Sequence, residues 1–288
     1  MAHRKNAVTK YNICLIQPSN YIHTLAFSEL GELIFFSLKE LGLEATMGFN
    51  KVDPNFKNII IGCHLLNPSL IDQIPKDSII LNTEQIYSDT TDWNKNIFFW
   101  AKRFEVWDYS EKNILKFNEI GLQKVKLLKI GFQKELLRLN LHQDKDVDIL
   151  FYGSLNQRRK DILDKLEAHG LKVKSLFGVY GKERDAWIER SKVVLNHHFY
   201  NSHIFEIVRV FYLLTNSVAV VGEVNETTSI DTIYKEAILA RRYDELVAGC
   251  LELVRNDFLR KEIEKAAIDT ISQYSQMKFT REVLLQDN

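Results

Sequence analysis

A chain of 288 residues corresponds, at about 150 residues per domain, to two domains that can each bury a core. Its composition, 45% apolar and 26% charged with 12 glycines and 4 prolines, is that of a folded globular protein and excludes disordered and fibrous classes. The 38 basic residues balance the 38 acidic ones, so no net field draws the chain to nucleic acid or to an anionic membrane.

No apolar run approaches the ~18 residues of a spanning helix, and the polar start from Met1 to Lys10 leads into no apolar signal core. A cytoplasmic protein without a transmembrane segment is the expectation. Cys14, Cys63 and Cys250 are far apart and show no C-x-x-C spacing, which argues against a disulfide framework or a cysteine zinc site.

Ile13 to Ile16 is a short apolar run of the kind that forms a doubly buried strand, followed by a loop from Gln17 to His23. Leu30, Leu33, Ile34, Leu38 and Leu41 then recur at helical spacing, and Gly42 ends the helix. Ile59 to Ile61 predicts a second strand, Asn67-Pro68 a helix start, and Ser78 to Leu81 a third strand. Glu105 to Trp107 predicts another strand, Ser110 caps a helix running to Ile120, and Val125 to Leu128 returns to the sheet.

A polar stretch, Asn140 to Asp146, breaks the alternation and reads as a linker. Strands at Val147 to Tyr152, Val173 to Phe177, Val193 to Leu195 and Val218 to Val221 follow. Between them lie helices at Asn156 to His169, Lys182 to Arg190 and Ile204 to Leu214, and amphipathic helix dominates from Tyr243 onward. Strand-helix alternation of this kind predicts parallel sheets with crossover helices. The expected fold is α/β, with two Rossmann-like doubly wound domains facing a central cleft: residues 1–142, residues 147–274, and a closing helix in 275–288 that crosses back to the first half.

Three segments carry chemistry. Gly153, Ser154, Arg158 and Arg159 stand where a strand opens into a helix, a place suited to an anion such as a diphosphate; solvated surface arginines are the bland alternative. Val179 and Tyr180 lie between two glycines after the next strand, where a base could rest on the backbone, or where an ordinary turn suffices. Neither G-x-G-x-x-G nor G-x-x-x-x-G-K-[ST] occurs, so redox dinucleotide and P-loop phosphotransfer classes lack their signature. In the third segment Glu206 opens an apolar helix, where its carboxylate could accept two ribose hydroxyls or cap the helix. Arg209 follows at i+3 and could pair with it.

On these residues the stretch 148–284 resembles the nucleotide-sugar half of GT-B glycosyltransferases, in the group-1-like branch related to the spore-maturation protein CgeB. The matching points are Phe151 to Ser154 with Arg158-Arg159, Ser191 to Asn196, Phe205-Glu206, and Tyr243 to Leu246. The resemblance implies that Glu206 binds the ribose of a nucleoside diphosphate sugar and that Arg158 and Arg159 face its diphosphate. Asn196, His198 and Arg209 complete the candidate donor set. Retaining members carry a glutamate eight residues before the ribose-binding one, and here that position is His198, so inversion is the expectation.

The first half resembles the acceptor side more loosely, through Val106 to Ser110 and Leu128 to Phe132. An inverting transfer needs a base there. His23 and Glu84, in loops after strands, are the candidates, with His64 third. The Asp144, Asp146 and Asp148 run reads as solvated rather than metal-binding, and His197, His198 and His203 do not read as a zinc set. Trp93, Phe98, Phe99 and Trp100 read as a core or interface helix rather than a sugar-stacking platform. The expected function is metal-independent sugar transfer from a nucleoside diphosphate sugar, with no cofactor, to a hydroxyl acceptor that is a glycan, a lipid-linked glycan or a protein; the alternative is a non-catalytic nucleotide or nucleotide-sugar sensor.

Overall fold

The computed structural model describes residues 9–87, 91–141, 144–201 and 203–286, the side chains of residues 91–93 aside. His142 and Gln143 of the polar stretch, the chain start up to Val8 and the Trp93 side chain lie outside the described residues. The chain forms two compact units, one of residues 1–86, 90–129 and 276–288 and the other of residues 87–89 and 130–275. The polar stretch 140–146 thus belongs to the second unit, whose boundary falls at Ile130.

The first unit is built on six parallel strands: β1 (Tyr11–Leu15), β2 (Ala45–Phe49), β3 (Lys57–Ile61), β4 (Ile79–Asn82), β5 (Glu105–Asp108) and β6 (Val125–Leu127), ordered β2-β1-β3-β4-β5-β6. Its helices are α1 (Ser28–Glu40), α2 (Thr91–Ala101) and α3 (Glu111–Glu119). One face buries Cys14, Ile60, Ile80, Val106, Ile97, Trp100 and Phe117 together. Each strand buried on both faces reads as an unbroken apolar run because crossover helices cover both sides. Ser110 caps α3 by accepting the Asn113 N–H. The closing helix α10 (Gln276–Leu285) also belongs to this unit and packs on α1, where Ser37 and Thr280 hydroxyls meet at 2.8 Å.

The second unit carries β7 (Val147–Tyr152), β8 (Val173–Leu176), β9 (Ser191–Asn196), β10 (Val220–Glu223) and β11 (Leu239–Arg241), all parallel and ordered β11-β10-β9-β7-β8. Helices α4 (Gln157–Ala168), α5 (Gly181–Glu189), α6 (Ile207–Thr215), α7 (Thr232–Lys235), α8 (Leu246–Arg255) and α9 (Asp257–Ile271) accompany them. Ile149, Phe151, Val193, Leu195, Ala219 and Val221 pack against Ile162, Leu166, Leu246, Cys250 and Leu253.

Numbered from its own first strand, the second sheet has the doubly wound order 2-1-3-4-5, and the first has the same order with a sixth strand added at its end. The direction of winding reverses between the first and third strands, and ligands of such sheets bind outside the carboxyl ends of the strands at that point. In the second unit that point lies between β7, which runs into Gly153, and β9, which runs into His197 and His198. In the first it lies between β1 and β3, and β3 runs into Cys63 and His64.

Several expected boundaries shift, two of them beside the site of the second unit. The helix expected from Ile204 starts at Ile207, because Ile204 instead bridges Ser229. The strand expected to end at Val221 continues to Glu223.

Candidate donor and acceptor sites

At the carboxyl end of β9 in the second unit, Asn196, His197 and His198 are all buried. Glu206 occupies the N-cap position of α6, yet its side chain makes no capping bond. The carboxylate turns to the strand end instead. It accepts the Asn196 Nδ2–H at 3.0 Å, and both its oxygens lie 3.4 Å from His198 Nδ1. Arg159 Nη2 is 3.7 Å away. Because an ionised carboxylate only accepts, His198 Nδ1 carries a proton; the other ring nitrogen lies 3.2 Å from the Thr228 hydroxyl. Burial alone pushes the Glu206 carboxyl up, but His198, Arg209 and Arg159 together outweigh it and hold the pKa well below the ordinary range.

Arg209 does not bridge to Glu206. Among the described residues the one hydrogen bond of its side chain is a long one, 3.5 Å from Nη1 to Asn196 Oδ1. The guanidinium, half-buried, lies over Gly153 instead. Gly153 has φ +135°, and a Cβ there would stand 3.2 Å from Arg209 Nη2 and 3.6 Å from Arg159 Nη1. A side chain there is strained by the backbone conformation and crowds the Arg209 guanidinium, so glycine keeps the backbone open beside two cations.

The two arginines of α4 are committed elsewhere. Arg159 is 2% exposed, and its guanidinium donates to the carbonyls of Ser154, at 2.9 Å, and His197. Burial first, and then the charge of Arg209, lowers it to about 9, still cationic at neutral pH. Arg158 forms a two-pronged ion pair with Glu223, donates to the His198 carbonyl at 3.1 Å and lies 3.8 Å over the Tyr243 ring. Glu223, fully buried, also accepts the backbone N–H of His198 at 2.9 Å and Asn225 Nδ2 at 2.6 Å. Burial raises its carboxyl, and Arg158 and the other donors bring it below the ordinary value.

The structure thus gathers Gly153, Ser154, Arg158, Arg159, Asn196, His198, Glu206 and Arg209 into one hydrogen-bonded and charge-paired neighbourhood. Val179 and Tyr180 lie half-buried on the turn after β8, the strand next to β7. His197 is neutral, since burial first and then Arg159 lower it to about 3. His203 pairs with Thr227 and its ring stacks on that of His198, 5.5 Å between centroids. Asp146 pairs with Arg190, and Asp148 with Lys192. Among the described residues no group of three His, Cys, Asp or Glu is arranged to hold a metal ion.

In the first unit, Glu84 follows β4 and lies 3.6 Å from Nε2 of the buried His64, which follows β3. Burial pushes the Glu84 carboxyl up to about 7, opposed only in part by the Thr83 hydroxyl at 3.3 Å. Burial likewise lowers His64 to about 4, so its ring is neutral at pH 7. Tyr21 and Cys63 are both raised, by burial first and then by the charge of Glu84, which places them around the same carboxyl. His23 lies in the turn 22–27 after β1, half-buried with its ring edge-on to Tyr21 at 5.2 Å. Of the sequence candidates, Glu84 and His64 are therefore brought together directly, and His23 joins them through Tyr21.

Sequence reasoning missed Glu223, Thr228 and Asn225 in the second unit and Asn82, Asp108 and Asn113 in the first. A shared signal was present. Asn82, Asp108, Asn196 and Glu223 each close a buried strand with a polar side chain, at the sheet end where such folds bind ligands.

No known family model matches the chain. Its sequence is similar to uncharacterized proteins of Acanthamoeba polyphaga mimivirus. One is 26% identical over 234 residues, covering 78% of this chain and 81% of that protein. Another is 28% identical over 208 residues, 69% of this chain. The chain spans only 28% of the length of that relative, and 14% of a third that is 30% identical over 132 residues. Among solved structures it is similar to T4 phage BGT in complex with its UDP-glucose substrate, with a TM-score of 0.61 at 12% identity over 95% of this chain and 98% of the other. The Anabaena HepE structure in complex with UDP and glucose gives 0.61 at 8% identity over 96% and 98%. WaaG, a glycosyltransferase involved in lipopolysaccharide biosynthesis, gives 0.58 at 9% identity over 94% and 98%. At such identities the likeness speaks for architecture: this chain has the GT-B fold, with two parallel-sheet α/β domains of six and five strands.

Proposed function

We propose that the chain is a glycosyltransferase that takes a sugar from a nucleoside diphosphate donor bound by the second unit and passes it to a hydroxyl acceptor held by the first. The observation that carries this reading is the ionised Glu206 at the winding reversal of β7 and β9. A carboxylate has about four lone-pair directions, and the contacts from Asn196 and His198 leave room for two vicinal ribose hydroxyls. The bare backbone at Gly153 beside Arg209 suits the diphosphate, whose growing charge as the sugar departs is met by the guanidinium rather than by a resident metal. The solved neighbours named for UDP-glucose, or for UDP and glucose, support the donor class. The order of Phe151 to Ser154, Ser191 to Asn196 and Phe205-Glu206 supports the finer placement beside CgeB.

Glu84 is the proton acceptor in this reading. The acceptor hydroxyl oxygen attacks the anomeric carbon, its proton passes to Glu84, and the electron pair of the breaking glycosyl–oxygen bond leaves on the diphosphate. A carboxyl with a pKa near 7 is matched to that task at neutral pH. With His198 at the position where retaining relatives of the fold keep a glutamate, the product is inverted.

UDP-glucose is the test donor. UDP binding with slow UDP release from UDP-glucose, accelerated by an acceptor and abolished in Glu84→Gln, is the expected result. Binding without release by any acceptor class would reduce the chain to a nucleotide sensor, and failure to bind UDP, GDP, ADP or CDP would end the reading.

A further inference from the structure

We infer that Asp108, acting through the side-chain amides of Asn82 and Asn113, positions the turn that carries Glu84. This rests on the reading of Glu84 as the proton acceptor. Strands β4 and β5 end side by side, with Asn82 in register with Asp108. Asn82, Asp108 and Asn113 are at most 1% exposed.

Asp108 Oδ2 accepts from Asn82 Nδ2 at 2.7 Å, and Oδ1 accepts the Ser110 N–H at 2.7 Å. Asn113 Nδ2 lies 3.2 and 3.1 Å from the two carboxylate oxygens. Both asparagines turn their NH2 groups toward the Asp108 carboxyl, whose Oδ1 also takes the Ser110 N–H, and this fixes which way each amide points. The remaining atoms of both amides converge on one short segment. Asn82 Nδ2 and Asn113 Nδ2 donate their second hydrogens to the Glu84 carbonyl at 2.9 and 2.8 Å. Asn82 Oδ1 accepts the Glu84 N–H at 3.2 Å, and Asn113 Oδ1 accepts the Ile86 N–H at 2.8 Å.

Both backbone polar groups of Glu84 are therefore held by amides that a single buried carboxylate orients. A cluster that merely closed the sheet would spread its bonds over several strands. This one spends four of them on the two residues, Glu84 and Ile86, that aim one side chain. The groups around that side chain are Thr83, His64, Cys63 and Tyr21, and holding the turn still keeps the Glu84 carboxyl among them, largely shielded from water. Asn82, Asp108 and Asn113 are thus positioning residues, and the buried state of Glu84 is their product.

The test is a 13C NMR titration of the protein labelled at the glutamate side-chain carboxyl, with Glu84→Gln identifying the signal, alongside UDP release from UDP-glucose. Asn113→Ala removes one of the two Glu84 carbonyl donors and the Ile86 acceptor while leaving Asp108 paired with Asn82 and Ser110. The expected result is a Glu84 midpoint at least one pH unit lower, turnover down at least tenfold, and a UDP dissociation constant within twofold of the parent. Asp108→Asn should behave alike, and Asn113→Ala keeps the test standing should Asp108→Asn fail to fold. An unshifted Glu84 midpoint in Asn113→Ala overturns the inference, whatever happens to turnover. A shifted midpoint with unchanged turnover, or full turnover in Glu84→Gln, leaves the positioning intact and overturns the assignment of the base.

Discussion

The two units repeat one architecture and put carboxylates at the same place, the carboxyl ends of buried strands, yet the two sets are driven in opposite directions. In the second unit Glu206 and Glu223 stand among Arg158, Arg159, Arg209 and His198, and both are held below the ordinary carboxylate range. In the first unit Glu84 and Asp108 meet amides, hydroxyls and a neutral imidazole, and burial carries both up to about 7. Desolvation acts on all four, and in the second unit His198 together with the arginines reverses the sign. A carboxylate locked in its charged form suits fixed recognition of hydroxyls and of a diphosphate's surroundings. One poised near neutrality suits moving a proton. In the proposed function the same sheet end, with or without cationic neighbours, serves as a binding site or as an acid-base site.

The sharpest way to break this contrast is to remove proton transfer alone. Glu84→Gln is expected to slow turnover by ~10²–10⁴-fold while leaving UDP affinity as it was. A loss of affinity of the same size would mean that the two units do not divide the work. Glu206→Ala should do the reverse, weakening UDP by about 2 kcal/mol, the usual contribution of hydrogen bonds to a charged acceptor, or roughly 30-fold; titration calorimetry reads it. Arg209→Ala is expected to weaken UDP by about 1.5 kcal/mol and uridine not at all, since only the diphosphate needs its charge. An equal loss for both ligands would make the arginine a fold element.

The contrast also predicts stability slopes of opposite sign, read by native-state hydrogen exchange in each unit. Glu84 and Asp108, raised on folding, bind protons in the native state that the unfolded chain has released, so between about pH 4.5 and 6.5 they make the first unit less stable as pH rises. His64, lowered to about 4, works against one of them, leaving a net loss near one proton, or about 1.4 kcal/mol per pH unit. In the second unit His197 is lowered to about 3 and is neutral where the unfolded imidazole is charged. Its contribution grows as pH rises through the same window, and that of Glu206 is lost only under stronger acid. In Asp108→Asn the slope of the first unit should flatten. Parallel slopes in the two units would count against the assigned charge states.

Much of this was legible in the chain. The central strands announce themselves as apolar runs such as Ile59 to Ile61 and Val193 to Leu195, and Gly42, Gly121 and Gly170 mark helix ends with positive φ. The strands that went unseen, β2 and β11, lie at sheet edges, where exposed or half-exposed positions such as Thr46 and Leu239 erase the buried-strand pattern. Glu206, Asn196, His198 and Arg209 could be singled out because they sit close together in sequence around one loop and one helix start. Nothing local could show that Arg158 spends its charge on Glu223, 65 positions away, or that Asp108 orients an amide 26 positions before it. Those pairings are set by strand order, which sequence periodicity does not encode.

Turnover and donor affinity, measured across pH 5 to 8 on the unmodified protein with UDP-glucose, whose diphosphate does not titrate in this range, test the division of labour most directly. Glu84 must be deprotonated to receive the proton, so kcat is predicted to rise with pH through a midpoint near 7. The Glu206 carboxylate is already ionised throughout, so the dissociation constant for UDP-glucose is predicted to stay flat. A flat kcat, or an affinity that carries the midpoint near 7, would contradict the account.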